Sequence, residues 1–150
     1  MNADLRIRAQ EPSDRGFLRS SWVENYREHS CDKMTRRIPG SEYRPRWSRI
    51  AERLLDTAQV RVACAPDDPD TILGYIVWEP SRPGRPAILH WVYLRLEFQG
   101  FGLLDQLLRE AGIDRDKQDQ PLWYSHQTLK FSRLRKPESW TYYPWLTLGV

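Results

Sequence analysis

Residues 94–112, with the sequence LRLEFQGFGLLDQLLREAG, decide the fold of this chain. An apolar segment ends there, Gly100 and Gly102 follow, and apolar residues then recur at helical spacing. The spacing predicts a strand end, a glycine turn and an amphipathic helix that stops at Gly112. The apolar face of this helix consists of Leu103, Leu104, Leu107, Leu108 and Ala111.

The glycine turn suits an anion. The first N–H groups of a helix lack partners and carry a partial positive charge, and glycines let the backbone approach a phosphate closely. The turn is not a Rossmann fingerprint, because three or four strands precede it and neither a third glycine nor the later acidic residue is present. It is not a P-loop either, since no Gly-Lys-Ser/Thr follows.

The segments before the turn predict a strand, two helices and three strands. LRIRAQ (5–10) alternates like a strand, and Ser13 or Asp14 can cap a helix that buries Leu18, Trp22 and Tyr26. Residues 30–40 read as a loop, and a second helix carries an apolar stripe. AQVRVACA, TILGYIVWEP and AILHWVYL are strands, with a bulge at Gly74. The stripe of the second helix consists of Tyr43, Trp47, Ile50 and Leu54, with Pro45 in its first turn.

After the glycine-turn helix, PLWYSHQT predicts a strand, LKFSRLRK one or two helical turns, and SWTYYPWLTL an extended segment. The whole order predicts an α/β or α+β fold with a mixed, mostly antiparallel central sheet flanked by helices. The chain of 150 residues is expected to form a single domain over 1–150.

Composition narrows the functional class. Hydrophobic residues are 40% and charged residues 29%, which is typical of a soluble globular protein. The N-terminus carries charges where a signal peptide needs apolar residues, and no run is long enough to span a membrane, so a cytoplasmic protein without a membrane partner is expected. Cys31 and Cys64 are expected to be free thiols, and no Cys/His spacing predicts a metal.

The positive charge is unevenly distributed. One basic region lies within residues 33–53, and a second covers 130–136. Either region could hold phosphates of a cofactor or of nucleic acid, although solvated helix faces are the simpler interpretation. Seven tryptophans could stack on bases, but most lie at inward positions and favour core packing. The first basic region consists of Lys33, Arg36, Arg37, Arg44, Arg46, Arg49 and Arg53, against Glu42 and Glu52.

The segment VYLRLEFQGFGLLDQLL resembles the coenzyme A-binding motif of the GNAT superfamily of N-acetyltransferases. In that family an aromatic-apolar strand ends in a splayed bulge, and Arg/Gln-x-x-Gly-x-Gly/Ala leads into a helix with a leucine pair. Gln99 matches the leading Arg/Gln, Phe98 the preceding aromatic and Gly102 the central glycine, while Leu107 and Leu108 match the pair. The element order agrees with the GNAT layout over nearly the full chain.

This resemblance implies acetyl-CoA as co-substrate, and no metal. It implies that main-chain groups near Leu94 and Leu96 bind the pantetheine arm. Leu104 departs from the family, which has Gly or Ala there; its side chain could enter the core and leave the N–H available, or it could weaken cofactor binding. The resemblance further implies that backbone N–H groups hold the pyrophosphate at Gln99, Gly100, Phe101, Gly102, Leu103 and Leu104.

The chain also resembles small GNAT-like proteins of bacteriophages and prophages, in which a Tyr-x-His strand precedes a Tyr-Pro tail, here YSHQT and YYPWL. A distant relative of that group is the Mom type of DNA-modifying protein, so nucleic acid stays open as a substrate. The alternatives to acetyl transfer are therefore a nucleic-acid-modifying or DNA-binding protein, and a GNAT fold without catalysis.

Acetyl transfer needs a neutral amine and a protonated leaving thiolate. For the base we consider His126, at a strand end, His90, in the most apolar strand, and the weaker Glu79. His90 could equally be a hydrogen-bonded core histidine. For the acid, GNAT enzymes place a tyrosine beyond the glycine-turn helix, and Tyr143 matches best, with Tyr142 and Tyr124 as substitutes.

The expected reaction is direct acetyl transfer to an amine on a small molecule or a protein. Basic residues such as Arg36, Arg37 and Lys130 could contact the 3′-phosphate of the cofactor or an acidic acceptor. Homodimers are common in the family, so the resemblance leaves a homodimer open for this chain.

Overall fold

The computed structural model describes residues 5–100 and 102–147. Six strands form one sheet in the order β1-β2-β3-β4-β5-β6. Neighbours from β1 to β4 pair antiparallel, whereas β4–β5 and β5–β6 pair parallel, so the predicted mixed sheet is confirmed. The strands are β1 (Arg6–Ala9), β2 (Gln59–Ala65), β3 (Asp68–Glu79), β4 (Ala87–Leu94), β5 (Leu122–Tyr124) and β6 (Trp140–Tyr142).

Helices cover both faces of the sheet. They are α1 (Arg15–His29), α2 (Lys33–Arg37), α3 (Gly40–Thr57), α4 (Leu103–Glu110) and α5 (Leu129–Arg133). Short 3₁₀ turns occupy Pro12–Asp14, Leu96–Phe98 and Pro144–Thr147. Leu18, Trp22 and Tyr26 of α1 pack with α3 on one face of the sheet, and Leu107 and Leu108 of α4 pack on the other.

Four local predictions were wrong. The segment SWTYYPWLTL is not extended throughout, because a 3₁₀ turn at Pro144–Thr147 follows β6. The segment 30–40 contains α2, whose first turn is capped by the Asp32 carboxylate accepting the Met34 N–H at 2.9 Å. Pro45 lies inside α3, beyond its first turn. The predicted strand 121–128 is shortened to β5, because the chain leaves β4 after Tyr124.

Two predictions about glycines are confirmed, the helix stop at Gly112 and the bulge at Gly74, and Gly74 also makes a close contact with β4. Gly112 has φ +74 just after α4 and ends the helix. At Gly74 the register with β2 skips one residue, which confirms the bulge. A Cβ on Gly74 would lie 2.5 Å from the backbone oxygen of Tyr93. Only glycine therefore lets β3 approach β4 so closely.

A second bulge lies in β4 itself. Val77 pairs with Trp91, whereas Trp78 pairs with Leu89, so His90 is the extra residue. A bulge re-aims side chains and breaks the alternation of faces. His90 therefore does not simply continue the parity of Val92 and Leu94.

Candidate functional site

Strands β4 and β5 diverge and leave a cleft. They pair only as far as Leu89 and Tyr124, with the Ser125 N–H donating to the Leu89 carbonyl at 3.1 Å. Beyond that point the segment that follows β5 forms backbone hydrogen bonds with the residues that follow α1 instead. The Cys31 N–H donates to the Gln127 carbonyl at 2.9 Å, and Ser30 and Thr128 form an isolated bridge.

The cleft runs along the open edge of β4. Trp91, Val92, Tyr93 and Leu94 all line a cavity of about 720 Å³. Successive side chains of a strand point to opposite faces, so a cavity that touches four in a row lies at the strand edge. The Arg95 N–H bonds to Leu73 of β3, so by alternation the main-chain groups of Val92 and Leu94 face the cleft.

A second cavity of about 230 Å³ adjoins the first and shares Val92, Leu94, Gln99, Thr128 and Lys130 with it. We use "the cleft" for both cavities together. Leu104 lines this second cavity and packs against the core under α4. Its side chain therefore forms a wall of the cleft.

The glycine turn opens onto the same cleft. Gly100 and Gly102 have φ of +93 and +75, and a Cβ on either would meet nothing within 4 Å. These positions therefore need glycine for its backbone conformation and not for space. Gly102 is the N-cap of α4 and has no side chain that could accept hydrogen bonds from the first N–H groups of the helix. These N–H groups are therefore suited to binding an anion. Leu103 is buried below it, and Phe101 lies outside the described residues.

The Gln99 side chain spans one end of the cleft. Its Nε2 donates to the Leu94 carbonyl at 3.0 Å, and its Oε1 accepts a hydrogen bond from Lys130 Nζ. Leu96 is 78% exposed at the rim, and its carbonyl accepts the Gln99 N–H at 3.2 Å. His29, Lys130 and Arg133 are the basic side chains that line the cleft within the described residues.

The three candidate bases are joined in one hydrogen-bonded chain. His90 Nε2 lies 2.6 Å from Glu79 Oε2, and His90 Nδ1 lies 2.8 Å from Ser125 Oγ. Ser125 Oγ lies 2.9 Å from His126 Nδ1. Sequence reasoning missed Ser125, because the contact depends on the register between β4 and β5.

His126 is almost fully buried in an aromatic surround. Its ring centroid lies 5.3 Å from that of Trp22, 4.6 Å from Tyr26 and 6.0 Å from Trp91. Burial, together with the nearby His90, lowers the pKa of His126 to about 3. Its Nε2 has no hydrogen-bond partner within the described chain, and His126 lines a cavity of about 30 Å³ that also touches Val92 and Thr128 of the cleft. That volume holds about one water molecule.

The predicted acid lies elsewhere. Tyr143 stacks on Trp123 at 4.8 Å, is 37% exposed and does not line the cavities described above. Tyr142 and Tyr124 stack on each other at 5.5 Å, and burial raises the pKa of both. Tyr93 does line the cleft.

The remaining predictions concern the exposed basic residues, the two cysteines, metal sites and membrane spans. All seven basic residues of the first region are exposed, and both cysteines are free. Across residues 5–100 and 102–147, no cluster of His, Cys, Asp and Glu can hold a metal, and no helix is long and apolar enough to cross a membrane.

No protein family model and no curated protein sequence matches the chain. Solved structures do. A Pyrococcus furiosus protein provisionally named an acetyl transferase is 18% identical with a TM-score of 0.56, covering 73% of this chain and 72% of that one. A Clostridium difficile protein provisionally named an acetyltransferase is 12% identical with a TM-score of 0.51, covering 97% and 90%. A GNAT family acetyltransferase from Brucella melitensis, in complex with acetyl-CoA, is 22% identical with a TM-score of 0.46, covering 73% and 66%. The chain thus shares its fold with the Pyrococcus furiosus and Clostridium difficile proteins.

Proposed function

We propose that this protein is an N-acetyltransferase that moves the acetyl group of acetyl-CoA directly to an amine. The observation that carries this proposal is the cleft between β4 and β5, which opens beside the glycine turn of α4. In a GNAT fold this arrangement brings together an anion-binding helix start, an open strand edge and an apolar channel.

The residues present fit acetyl-CoA. The N–H groups at the start of α4 would hold the pyrophosphate, and the main-chain groups of Val92 and Leu94 would pair with the amides of the pantetheine arm. Phe131 and Leu134 line the cleft beside them and supply an apolar wall. Lys130 and Arg133 add positive charge for phosphates or for an acidic acceptor.

When bound, acetyl-CoA supplies an activated thioester, on which the amine nitrogen forms a C–N bond as the C–S bond breaks. The chain must position the amine, keep it neutral and accept its proton. An alkylammonium has a pKa of about 10, so most of the free amine is protonated at neutral pH. His29 lines the cleft itself and His126 lines a cavity that adjoins it, so both imidazole rings are candidates for the base.

The proposal is tested by titrating the protein with acetyl-CoA. We expect micromolar binding that Gly102→Glu abolishes, because a carboxylate at the helix start repels the pyrophosphate. Gly84→Glu is the matched control: Gly84 has φ +78 in the turn between β3 and β4, so it creates similar strain away from the cleft. Absent binding, or equal loss in both variants, would contradict the proposal.

The acid that protonates the thiolate is tested by two tyrosine variants. Tyr143 stays a prediction, while Tyr93 lines the cleft. We therefore expect Tyr93→Phe to lower kcat about tenfold and Tyr143→Phe to lower it less. Release of free thiol from acetyl-CoA, with glycine, aspartate, kanamycin and spermidine as acceptors, measures both. A larger effect of Tyr143→Phe would assign the acid to the tail.

A nucleic-acid function is the second candidate. Arg46, Arg49 and Arg53 recur at helical spacing along α3, and all three are exposed. A row of cations could bind phosphates of DNA, with an affinity that falls steeply as salt rises. Duplex DNA binding that Arg49→Ala weakens, in a protein that does not bind acetyl-CoA, would favour this candidate.

A further inference from the structure

An amine proton taken up by His126 needs a route to solvent, because His126 is buried. It is 6% exposed and enclosed by Trp22, Tyr26 and Trp91. At the far end of the hydrogen-bonded chain, the Glu79 side chain is 27% exposed, while that of His90 is 1% exposed. The chain therefore leads from the buried edge of the cleft to the surface.

The hydrogen bonds of this chain have one consistent direction. The bond with His90 lowers the pKa of Glu79, so the carboxylate is ionised and can only accept. His90 Nε2–H thus donates to Glu79, and when the His90 ring is neutral its other nitrogen, Nδ1, accepts the Ser125 hydroxyl hydrogen. Ser125 Oγ then accepts from His126 Nδ1–H. This order leaves the lone pair of His126 on Nε2, the buried nitrogen without a partner in the described chain.

We propose that His126, Ser125, His90 and Glu79 form a proton relay that carries the amine proton from the cleft to solvent. The proposal rests on the proposed acetyl transfer. It assigns Ser125 a role as the link between two histidines and not as a nucleophile, because its oxygen is buried and bonded on both sides.

The relay balances as one proton in and one proton out. A proton reaches His126 Nε2, either from the amine or through one water in the adjoining cavity of about 30 Å³. His126 Nδ1–H passes to Ser125, the Ser125 hydroxyl proton passes to His90 Nδ1, and His90 Nε2–H passes to Glu79. Both rings end neutral with the proton on the opposite nitrogen, and the Glu79 carboxyl then loses its proton to water. Exchange of the ring protons with water during local opening restores the starting order before the next turnover.

This path removes the difficulty that the buried His126 presents. A charged imidazolium is unfavourable there, as the lowered pKa of His126 indicates. In a concerted relay the charge that is neutralised belongs to Glu79, beside solvent and 3.7 Å from Arg85. The groups facing the relay are thus Arg85 and Arg82 at the carboxylate and uncharged aromatics at His126.

The order of the protons is tested without any ligand. Long-range ¹H–¹⁵N NMR of the full chain should show His126 as the neutral Nδ1–H form and His90 as the neutral Nε2–H form at pH 7. His126 as the Nε2–H form, or either ring charged at pH 7, would overturn the relay. Ser125→Ala should remove the preference of His126 for Nδ1–H, whereas Ser125→Thr, which keeps the hydroxyl, should retain it.

Proton transfer is tested by Glu79→Gln, which can still accept the His90 N–H but cannot take up a proton. We expect kcat to fall about 100-fold, with the KM for acetyl-CoA unchanged. Rates in mixtures of H₂O and D₂O should curve with deuterium content in the wild type, because several protons move, and become linear in the variant. Glu79→Asp should recover part of the rate. Glu110→Gln, at an exposed site on α4, is the matched control.

Two different failures can be told apart. If the wild type neither binds acetyl-CoA nor acetylates an amine of the panel, acetyl transfer is overturned, and the NMR result alone decides whether the proton order exists. If the wild type is active and Glu79→Gln matches it in kcat and in the isotope curve, the relay is overturned while acetyl transfer stands.

Discussion

Gly102 carries its function through its backbone angle. Its φ of +75 starts α4, and no atom lies close enough to exclude a Cβ. Gly102→Ala should lower the free energy of unfolding by about 1–2 kcal/mol, because an L-residue is strained in the left-handed region. Gly102→Asn should cost less, since asparagine tolerates that region better. Urea unfolding measures both variants. An unchanged free energy of unfolding in Gly102→Ala would contradict the conformational explanation.

Asp14 should make stability depend on acid pH. Burial of Asp14 opposes ionisation, but bonds from Arg8 at 2.7 and 2.9 Å and from the Glu11 N–H at 2.7 Å outweigh it, so the pKa of Asp14 is lowered. A group with a lowered folded pKa stabilises the protein above its unfolded pKa of about 3.9, and this stabilisation is lost as the pH falls further.

The expected result is a free energy of unfolding that decreases below about pH 4 and decreases less in Asp14→Asn. At pH 7 the same variant should be less stable by about 3 kcal/mol, because it leaves the buried Arg8 without its charge partner. Unfolding in urea between pH 3 and 7 provides the measurement. Parallel pH curves for wild type and variant would exclude Asp14 as the source.

At the scale of elements, the close approach of β3 to β4 depends on Gly74. A Cβ there would meet the Tyr93 oxygen at 2.5 Å, and backbone cannot yield as a flexible side chain does. Gly74→Ala should therefore destabilise the protein by about 2 kcal/mol and weaken acetyl-CoA binding, since β4 forms the cleft edge. Gly16→Ala is the control. Gly16 lies in α1 with open space around it, and alanine there should stabilise by up to about 1 kcal/mol. Similar losses in both variants would contradict this account.

Leu104 tests whether α4 binds through its main chain. Its side chain packs against the core beside the cleft. If the cofactor bonds only to the main chain of α4, removing this side chain should change stability more than affinity. Leu104→Ala should lower the free energy of unfolding by about 1–2 kcal/mol and leave acetyl-CoA affinity within about threefold of the wild type. A tenfold gain in affinity on titration would instead mean that the leucine obstructs the cofactor.

At the scale of the whole molecule, charge should select the acceptor. The net charge is +3, and the basic side chains that line the cleft in the described residues are His29, Lys130 and Arg133. We expect a higher kcat/KM for aspartate than for spermidine, with a difference that shrinks as salt rises. Arg133→Glu should reverse the order, while Lys117→Glu, an equal charge change at an exposed site, should not. A preference for spermidine in the wild type would contradict this prediction.

The sequence by itself determined the elements and their order. Apolar residues at helical spacing placed α1, α3 and α4, alternation placed β1, apolar runs between turns placed β2 to β4, and Gly100, Gly102 and Gly112 marked the turns. These features depend on neighbours within one or two turns of chain, so local patterns carry them. The short helix α2 was missed because its polar residues show no periodicity.

Only the tertiary structure decided how the candidate site is assembled. Glu79, His90 and His126 were separate candidates in the sequence, and the bulge at His90 and the parallel register of β4 with β5 join them through Ser125. The same register ends at Tyr124 and opens the cleft, while Tyr143 stacks on Trp123 and does not line the cleft. Such contacts arise between strands far apart in the chain, and a shift of one residue would break them, so no local pattern encodes them.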